Sequence, residues 1–228
     1  MTKIIESIIY VIPARSGSKG VKDKNIRRLG ERNLIEIAID CIQEHDKSAE
    51  IIINSDSINY LDAVNRNVNK YLRPQHLGND NTQMCDVLNE MQLNCEIYNR
   101  HNLVSIVQPT CPFRLPIHFE LAEKKLIENS HTTLTSVTKA GDAHPARMYT
   151  MQGNVLQSLD RTMESANRQN LAEIYHRNGL IYITNKEILS QNKILDDKPG
   201  FIEVERDFTL NIDDEFDWKL ASVLFSSK

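Results

Sequence analysis

Ile9-Tyr10-Val11-Ile12-Pro13-Ala14-Arg15-Ser16-Gly17-Ser18-Lys19-Gly20-Val21-Lys22-Asp23-Lys24-Asn25 is the stretch from which the rest of this chain can be read. It begins inside an unbroken apolar run, Ile8 to Ile12, the pattern of a strand covered on both faces of a parallel sheet. Pro13 has no N–H and is expected to end the ladder. The residues that follow are small and basic. Gly17 and Gly20 let backbone N–H groups turn into a concave anion-binding nest, while Arg15, Lys19, Lys22 and Lys24 supply mobile positive charge. A phosphate-rich ligand at the carboxyl end of the first strand suits that composition; so does a plain Gly-Ser turn with solvated lysines. With Gly17 and Gly20 only three apart, the loop is neither G-x-x-x-x-G-K-[ST] nor G-x-G-x-x-G.

The 228 residues suffice for one large α/β domain or two small ones, and 40% hydrophobic with 25% charged residues is ordinary for a globular protein. Twenty-seven basic against 31 acidic residues leave a net charge of −4, which argues against an extended nucleic-acid-binding surface and for a small anion at the basic loop. Apolar runs of about five residues fall far short of the roughly 20 that span a bilayer. The opening residues, broken by Glu6, hold no signal-peptide core, so a cytoplasmic location is expected. Cys41, Cys85, Cys95 and Cys111 lack C-x-x-C spacing, and the seven histidines form no H-E-x-x-H, so neither a zinc site nor a disulfide framework is indicated.

Beyond the loop, Leu34, Ile35, Ala38, Ile39, Cys41 and Ile42 recur at helical spacing and predict a helix over about 33–45. Ile51 to Ile53 form a second buried strand ending in Asn54, Ser55 and Asp56, with Ser57 placed to cap a helix through Leu61 and Val64. A third strand ends at Arg73-Pro74, and Asp80 or Thr82 would cap a helix through Val87, Leu88, Met91 and Leu93. Leu103 to Val107 make a central strand that runs into Gln108-Pro109-Thr110-Cys111-Pro112-Phe113-Arg114, stiffened by its prolines. A helix over 117–128 and a β-branched strand from Thr132 follow. This alternation predicts a mainly parallel sheet with right-handed crossovers. Residues 139–176, with a turn at Gly153-Asn154, break the pattern as an excursion from the sheet, and Tyr175 to Thr184 return to it. Phe208 to Asp213 read as a short strand, and Asp213 or Asp214 caps a closing helix with Phe216, Leu220, Val223 and Leu224 inward. Taken singly, Arg73, Arg147 and Arg168 suit surface arginines and the acids at 213–214 a helix cap, while Gln108, at a strand's carboxyl end, suits a ligand contact or a stiff turn equally.

Jointly and in order, these blocks resemble the CMP-sialic acid synthetases (acylneuraminate cytidylyltransferases). Pro13 to Asn25 follow P-A-R-x-G-S-K-G-x-x-x-K-N; Leu72-Arg73-Pro74 with Leu77, Asp80 and Thr82 follow L-R-P and L-x-x-D-x-[ST]. Gln108 to Arg114 follow Q-P-T-S-P-x-R, and Tyr175 to Ile183 follow Y-R-x-N-G-A-I-Y-I. Asn211-Ile212-Asp213 stand where D-I-D is usual. The resemblance implies one Rossmann-like α/β nucleotidyltransferase domain over 1–228, a mainly parallel sheet flanked by helices, with 139–176 as a dimerisation excursion of a homodimer. It implies CTP and a nine-carbon α-keto sugar acid as substrates, CMP-sugar and pyrophosphate as products, Mg2+ as the metal, and a place in lipopolysaccharide or capsule biosynthesis. Arg15, Lys19, Lys24 and Asp213 would then be catalytic, and Ala14, Arg15, Asn25, Arg73, Asp80 and Thr82 would bind the nucleotide. Gln108 and Tyr182 would hold the sugar acid, with Arg147 and Arg168 reaching it from a neighbouring copy, and Asp213 with Asn211 would hold the metal. Three departures stand out: Asn211 for the first metal-binding Asp, His176 for Arg, and Cys111 for Ser. Asp56 and Asp214 are candidates to compensate for Asn211. A related sugar acid (KDO, legionaminic or pseudaminic) or a non-catalytic nucleotide-binding role are the alternatives.

Overall fold

The computed structural model describes residues 7–141, 143–160 and 171–227. Strand β1 (Ile8–Pro13) buries Tyr10 and Ile12 in one core cluster and Ile9 and Val11 in another, so its unbroken apolar run reflects burial on both faces. A short hairpin, β2 (Arg28–Leu29) and β3 (Arg32–Asn33), leads into helix α1 (Leu34–His45). Asn33 accepts the Glu36 N–H and the Glu36 carboxylate accepts the Asn33 N–H, a capping box that explains the expected start. Ile35, Ile39 and Ile42 are fully buried beneath the helix, each worth about 1.5–3 kcal/mol once withdrawn from water.

Next come β4 (Glu50–Ser55), α2 (Ile58–Asp62), β5 (Asn69–Leu72), α3 (Met84–Asn94), α4 (Glu96–Asn99) and β6 (Leu103–Ile106). Helix α5 (Pro116–Glu128) and β7 (Thr133–Lys139) follow, then the excursion hairpin β8 (Tyr149–Gln152) and β9 (Val155–Ser158). Gly153, at φ +59°, makes the turn that was expected there. The chain closes with β10 (Tyr175–Asn185), α6 (Lys186–Leu189), β11 (Gly200–Glu203) and α7 (Glu215–Ser226). The main sheet has the order β11-β7-β10-β6-β1-β4-β5; β10 runs antiparallel to both neighbours and the other pairs are parallel. From β1 the chain winds outward through β4 and β5, then returns to the opposite side at β6. The gap this leaves beyond the carboxyl ends of β1, β4 and β6 is a topological switch point, where open α/β sheets take ligands. Among the described residues no helix is long and apolar enough to cross a membrane.

Several local expectations are corrected. Pro13 does not stop the ladder: it pairs with Asn54, and the Ala14 N–H extends the pairing to Asn54 O at 2.9 Å. Ser57 precedes α2 without giving a side-chain cap. Helix α3 starts at Met84, with Asp86 accepting the Gln83 N–H, so neither Asp80 nor Thr82 caps it. Residues 209–213 form no strand; a backbone bond from Ile212 N–H to Thr110 O at 2.8 Å holds them beside the β6 exit. Asp214 does cap α7, accepting the N–H groups of Phe216 and Asp217. That helix, however, turns Trp218 and Ala221 inward, leaving Phe216 (73%) and Val223 (67%) exposed, with Leu220 and Leu224 less so. Trp218 and Ala221 pack there with Val21, Leu29, Leu34 and Ile212, and the Arg27 guanidinium lies over the Trp218 ring, 4.4 Å from its centre.

Candidate active site

The loop after β1 and the segment before α7 meet across the switch point. A Cβ built on Gly20 would lie 2.0 Å from the Asp213 carbonyl oxygen, so only glycine lets the two backbones touch. Lys24 Nζ donates to Ile212 O at 2.6 Å and stands 3.4 Å from Asp213 Oδ1. Between these elements lies a cleft of about 430 Å³. Its first wall is the basic loop, with Arg15, Lys19, Lys24 and Asn25; its second carries Arg73, Asp80 and Thr82; its floor holds Gln108, Asn211 and Asp213. These are ten of the residues expected from sequence.

Four others lie elsewhere. Ala14 is wholly buried, so its methyl group packs in the core instead of lining the cleft. Tyr182 packs against the cluster of Ile9, Val11, Cys85 and Leu88 and does not line the cleft either. Arg147 ends a short turn, Pro145–Arg147, outside the cleft of its own chain, and Arg168 lies outside the described residues. His176 and Arg177 both sit exposed on β10, so Arg177 does not bring a guanidinium into this cleft in place of the missing one.

Asp56, at the end of β4, joins the two walls. Its carboxylate accepts the Ser16 N–H at 2.8 Å and the Ser16 hydroxyl at 2.6 Å, and lies 3.5 Å from Arg73 Nη2. Arg73 Nη1 donates to Asn54 Oδ1 at 3.0 Å, and burial draws the guanidinium pKa below its usual value. Gly78 packs so tightly that a Cβ there would sit 2.6 Å from an Asp56 oxygen. Sequence reasoning missed this tie; the signal for it was an acid at the carboxyl end of a buried strand. Three buried polar atoms around the wall, Asn25 Oδ1, Asn54 Nδ2 and Arg73 Nε, have no hydrogen-bond partner among the described residues, and such atoms are costly unless something satisfies them.

On the floor, Gly179 at φ +80° leaves room for Gln108, whose Oε1 would be 2.8 Å from a Cβ there. The buried Arg114 donates to Leu180 O at 2.7 Å and to Gln108 O at 3.0 Å, fixing the strand exit. Asn178 accepts the Leu180 N–H at 3.1 Å and donates to Thr138 Oγ1 at 2.9 Å, within a register shift of β10 between Arg177 and Tyr182. Cys111 lies beneath, its Sγ 3.8 Å from Asn211 Oδ1, and burial raises its thiol pKa.

The donors for a metal are one exposed carboxylate, Asp213, and the neighbouring amide, Asn211, whose Nδ2 donates to Asp213 Oδ2 at 3.0 Å. Among the described residues no group of three or more His, Cys, Asp or Glu side chains forms a cage. This set fits Mg2+, which takes one or two carboxylates and completes its shell with phosphate oxygens and water. Asp56 and Asp214 do not line the cleft: Ser16 and Arg73 engage the first, and the α7 cap uses the second.

A cleft at the switch point of a mainly parallel sheet, walled by a basic glycine loop and floored by an acid, defines an α/β protein whose site suits an anionic ligand. The chain belongs to the cytidylyltransferase family, whose model matches residues 9–217. It is 28% identical to N-acylneuraminate cytidylyltransferase of Escherichia coli over 97% of this chain, and spans 52% of that protein, about half its length. It is 27% identical to CMP-N,N'-diacetyllegionaminic acid synthase of Campylobacter jejuni, covering 97% of this chain and 96% of that one. The solved structure of CMP:2-keto-3-deoxy-manno-octonic acid synthetase complexed with CTP shares the fold, with a TM-score of 0.73 over 97% of this chain and 99% of that one at 15% identity.

Proposed function

We propose that this protein is a cytidylyltransferase that joins CMP from CTP to a nine-carbon α-keto sugar acid of the sialic acid type. The observation that carries this reading is the contact of Gly20 and Lys24 with the 211–213 segment, which sets a basic loop and an acid around one cleft. In the reaction the anomeric hydroxyl of the sugar acid attacks the α-phosphorus. A new P–O bond forms, the bond to pyrophosphate breaks, and the hydroxyl proton leaves to solvent.

Arg15, Lys19 and Lys24 neutralise triphosphate charge, and the preset loop stabilises the additional charge of the transition state. Asn25 and Arg73 hold the cytidine from the cleft walls, with Thr82 beside them and Ala14 holding the loop root. Gln108 orients the sugar acid from the floor, and Tyr182 packs behind that floor. Arg147 and Arg168 reach the sugar acid's charged groups from a second copy of the chain. Mg2+ on Asp213 and Asn211 supplies charge withdrawal from the phosphate oxygens when bound. Positioning carries the remainder of the rate, and no side chain is assigned as a general base.

Asp213→Ala is expected to abolish CTP-dependent pyrophosphate release while the thermal midpoint stays near that of the parent, since the side chain is 71% exposed. Turnover retained at saturating magnesium would remove Asp213 from the metal role. Assaying the parent chain with N-acetylneuraminic, legionaminic, pseudaminic and KDO acids identifies the substrate; no pyrophosphate with any of them would leave a nucleotide-binding protein. Legionaminic acid is the second reading, favoured by the near full-length match to the Campylobacter synthase.

A further inference from the structure

The two cations at the mouth of the loop already hold an anion, and it belongs to the protein. Asp80 Oδ1 lies 2.6 Å from Arg15 Nη2 and Asp80 Oδ2 lies 2.5 Å from Lys19 Nζ, one oxygen to each cation across the cleft. Two oxygens of one phosphate would engage the same pair in the same way. Local structure does not call on the Asp80 carboxylate, since the start of α3 is served by Asp86 and the turn before it is held by Thr82 N–H to Asn79 O. The two ion pairs hold its carboxyl below the usual carboxylate range, Lys19 contributing most.

The contact is also built to break. The side chains of Lys19 and Asp80 are 83% and 38% exposed, so water competes for the pair. The deeper tie between the same two walls, Asp56 to Arg73, has side chains 2% and 3% exposed and is shielded from that competition. One carboxylate thus ties the walls in the buried interior while the other sits over them at the solvent edge.

We propose that Asp80 is an internal anion occupying a phosphate position of the cleft, displaced when the nucleotide binds and returning as pyrophosphate leaves. This rests on the reading of the cleft as a triphosphate site. A bound phosphate must free both cations from Asp80 and then lie beside its charge, so Asp80 lowers the affinity for pyrophosphate and speeds its departure. It acts as a specificity-setting and release residue and takes no part in bond making.

The test is calorimetric titration of inorganic pyrophosphate, CTP and cytidine into the full chain and its Asp80→Asn variant. The variant is expected to bind pyrophosphate about 3–10-fold more tightly, the scale of losing two water-exposed competing pairs. Product inhibition by pyrophosphate should strengthen by a similar factor, with cytidine, which has no phosphate, unaffected. Asp80→Ser repeats the measurement should the asparagine variant fold poorly. Unchanged or weaker pyrophosphate binding in both variants would overturn the proposal, weaker binding meaning that Asp80 positions Arg15 and Lys19. A parent chain that binds neither pyrophosphate nor CTP would instead overturn the triphosphate reading itself.

Discussion

At the scale of single residues, the chemistry of the cleft turns on position 211. An amide oxygen ligates Mg2+ but brings no negative charge, so Asp213 with Asn211 would hold the metal less tightly than two carboxylates, beside Lys24, whose ammonium already lies 3.4 Å from Asp213. Asn211→Asp is expected to lower the magnesium concentration needed for half-maximal pyrophosphate release several-fold; a superimposable magnesium titration would show that the neutral ligand limits nothing. Cys111 stands beneath the same amide, and its buried thiol offers only a weak donor where a serine would offer a stronger one. The pairing of Asp80 with Arg15 and Lys19 belongs to this scale too: it is a contest between charges and leaves the fold untouched.

At the scale of elements, the segments that form the floor are held by caps and buried hydrogen bonds whose strength depends on pH. His118 sits in the first turn of α5, where its Nδ1 accepts the Leu115 N–H at 3.1 Å. Burial, and then the charge of Arg114, push its pKa down to about 4 from an ordinary 6.5. The folded protein therefore keeps the ring neutral while the unfolded chain protonates it. This contribution is fully present above pH 6.5, declines as the pH falls below that value, and is lost by about pH 4. It amounts to roughly 3 kcal/mol. His118→Asn retains an acceptor for the cap, so its thermal midpoint should fall less than the parent's between pH 7 and pH 4. Equal slopes would place the acid sensitivity elsewhere.

At the scale of the whole molecule, the hairpin of β8 and β9 has no layer of this chain against it among the described residues. Met151 pairs with Leu156, and they are 77% and 63% exposed, with Tyr149 on the same face at 45%. A lone two-stranded ribbon is marginal in water, so the pairing with a second copy proposed for the excursion gives this ribbon its missing support. Met151→Glu combined with Leu156→Glu should shift the protein to monomer in sedimentation. Sugar acid affinity should fall with it, because Arg147 and Arg168 would no longer reach a neighbour's cleft, while CTP binding persists. A dimer that survives both charges would place the interface on another face.

The amino-acid sequence by itself determined the class of fold and most of the residues that line the cleft, because both rest on short-range signals. Apolar runs bounded by turn residues dictate buried strands, strand and helix alternation dictates a parallel sheet, and motif blocks around Arg15, Arg73, Gln108 and Asp213 name their own residue types. Helix phase, caps and pairings were decided only by tertiary structure. Trp218, not Phe216, turned inward from α7, into a cluster with Val21, Leu29, Leu34 and Ile212 drawn from distant parts of the chain. Tyr182 went into a core cluster, since a shift of register within β10 sets which face each of its residues presents. Asp80 gave up a local cap for two cations across the cleft. The contact that makes the site, Lys24 to Ile212, joins residues 188 apart. Spacing along a chain does not encode such an approach; it exists only once the sheet has brought the loop after its first strand against the segment before its last helix.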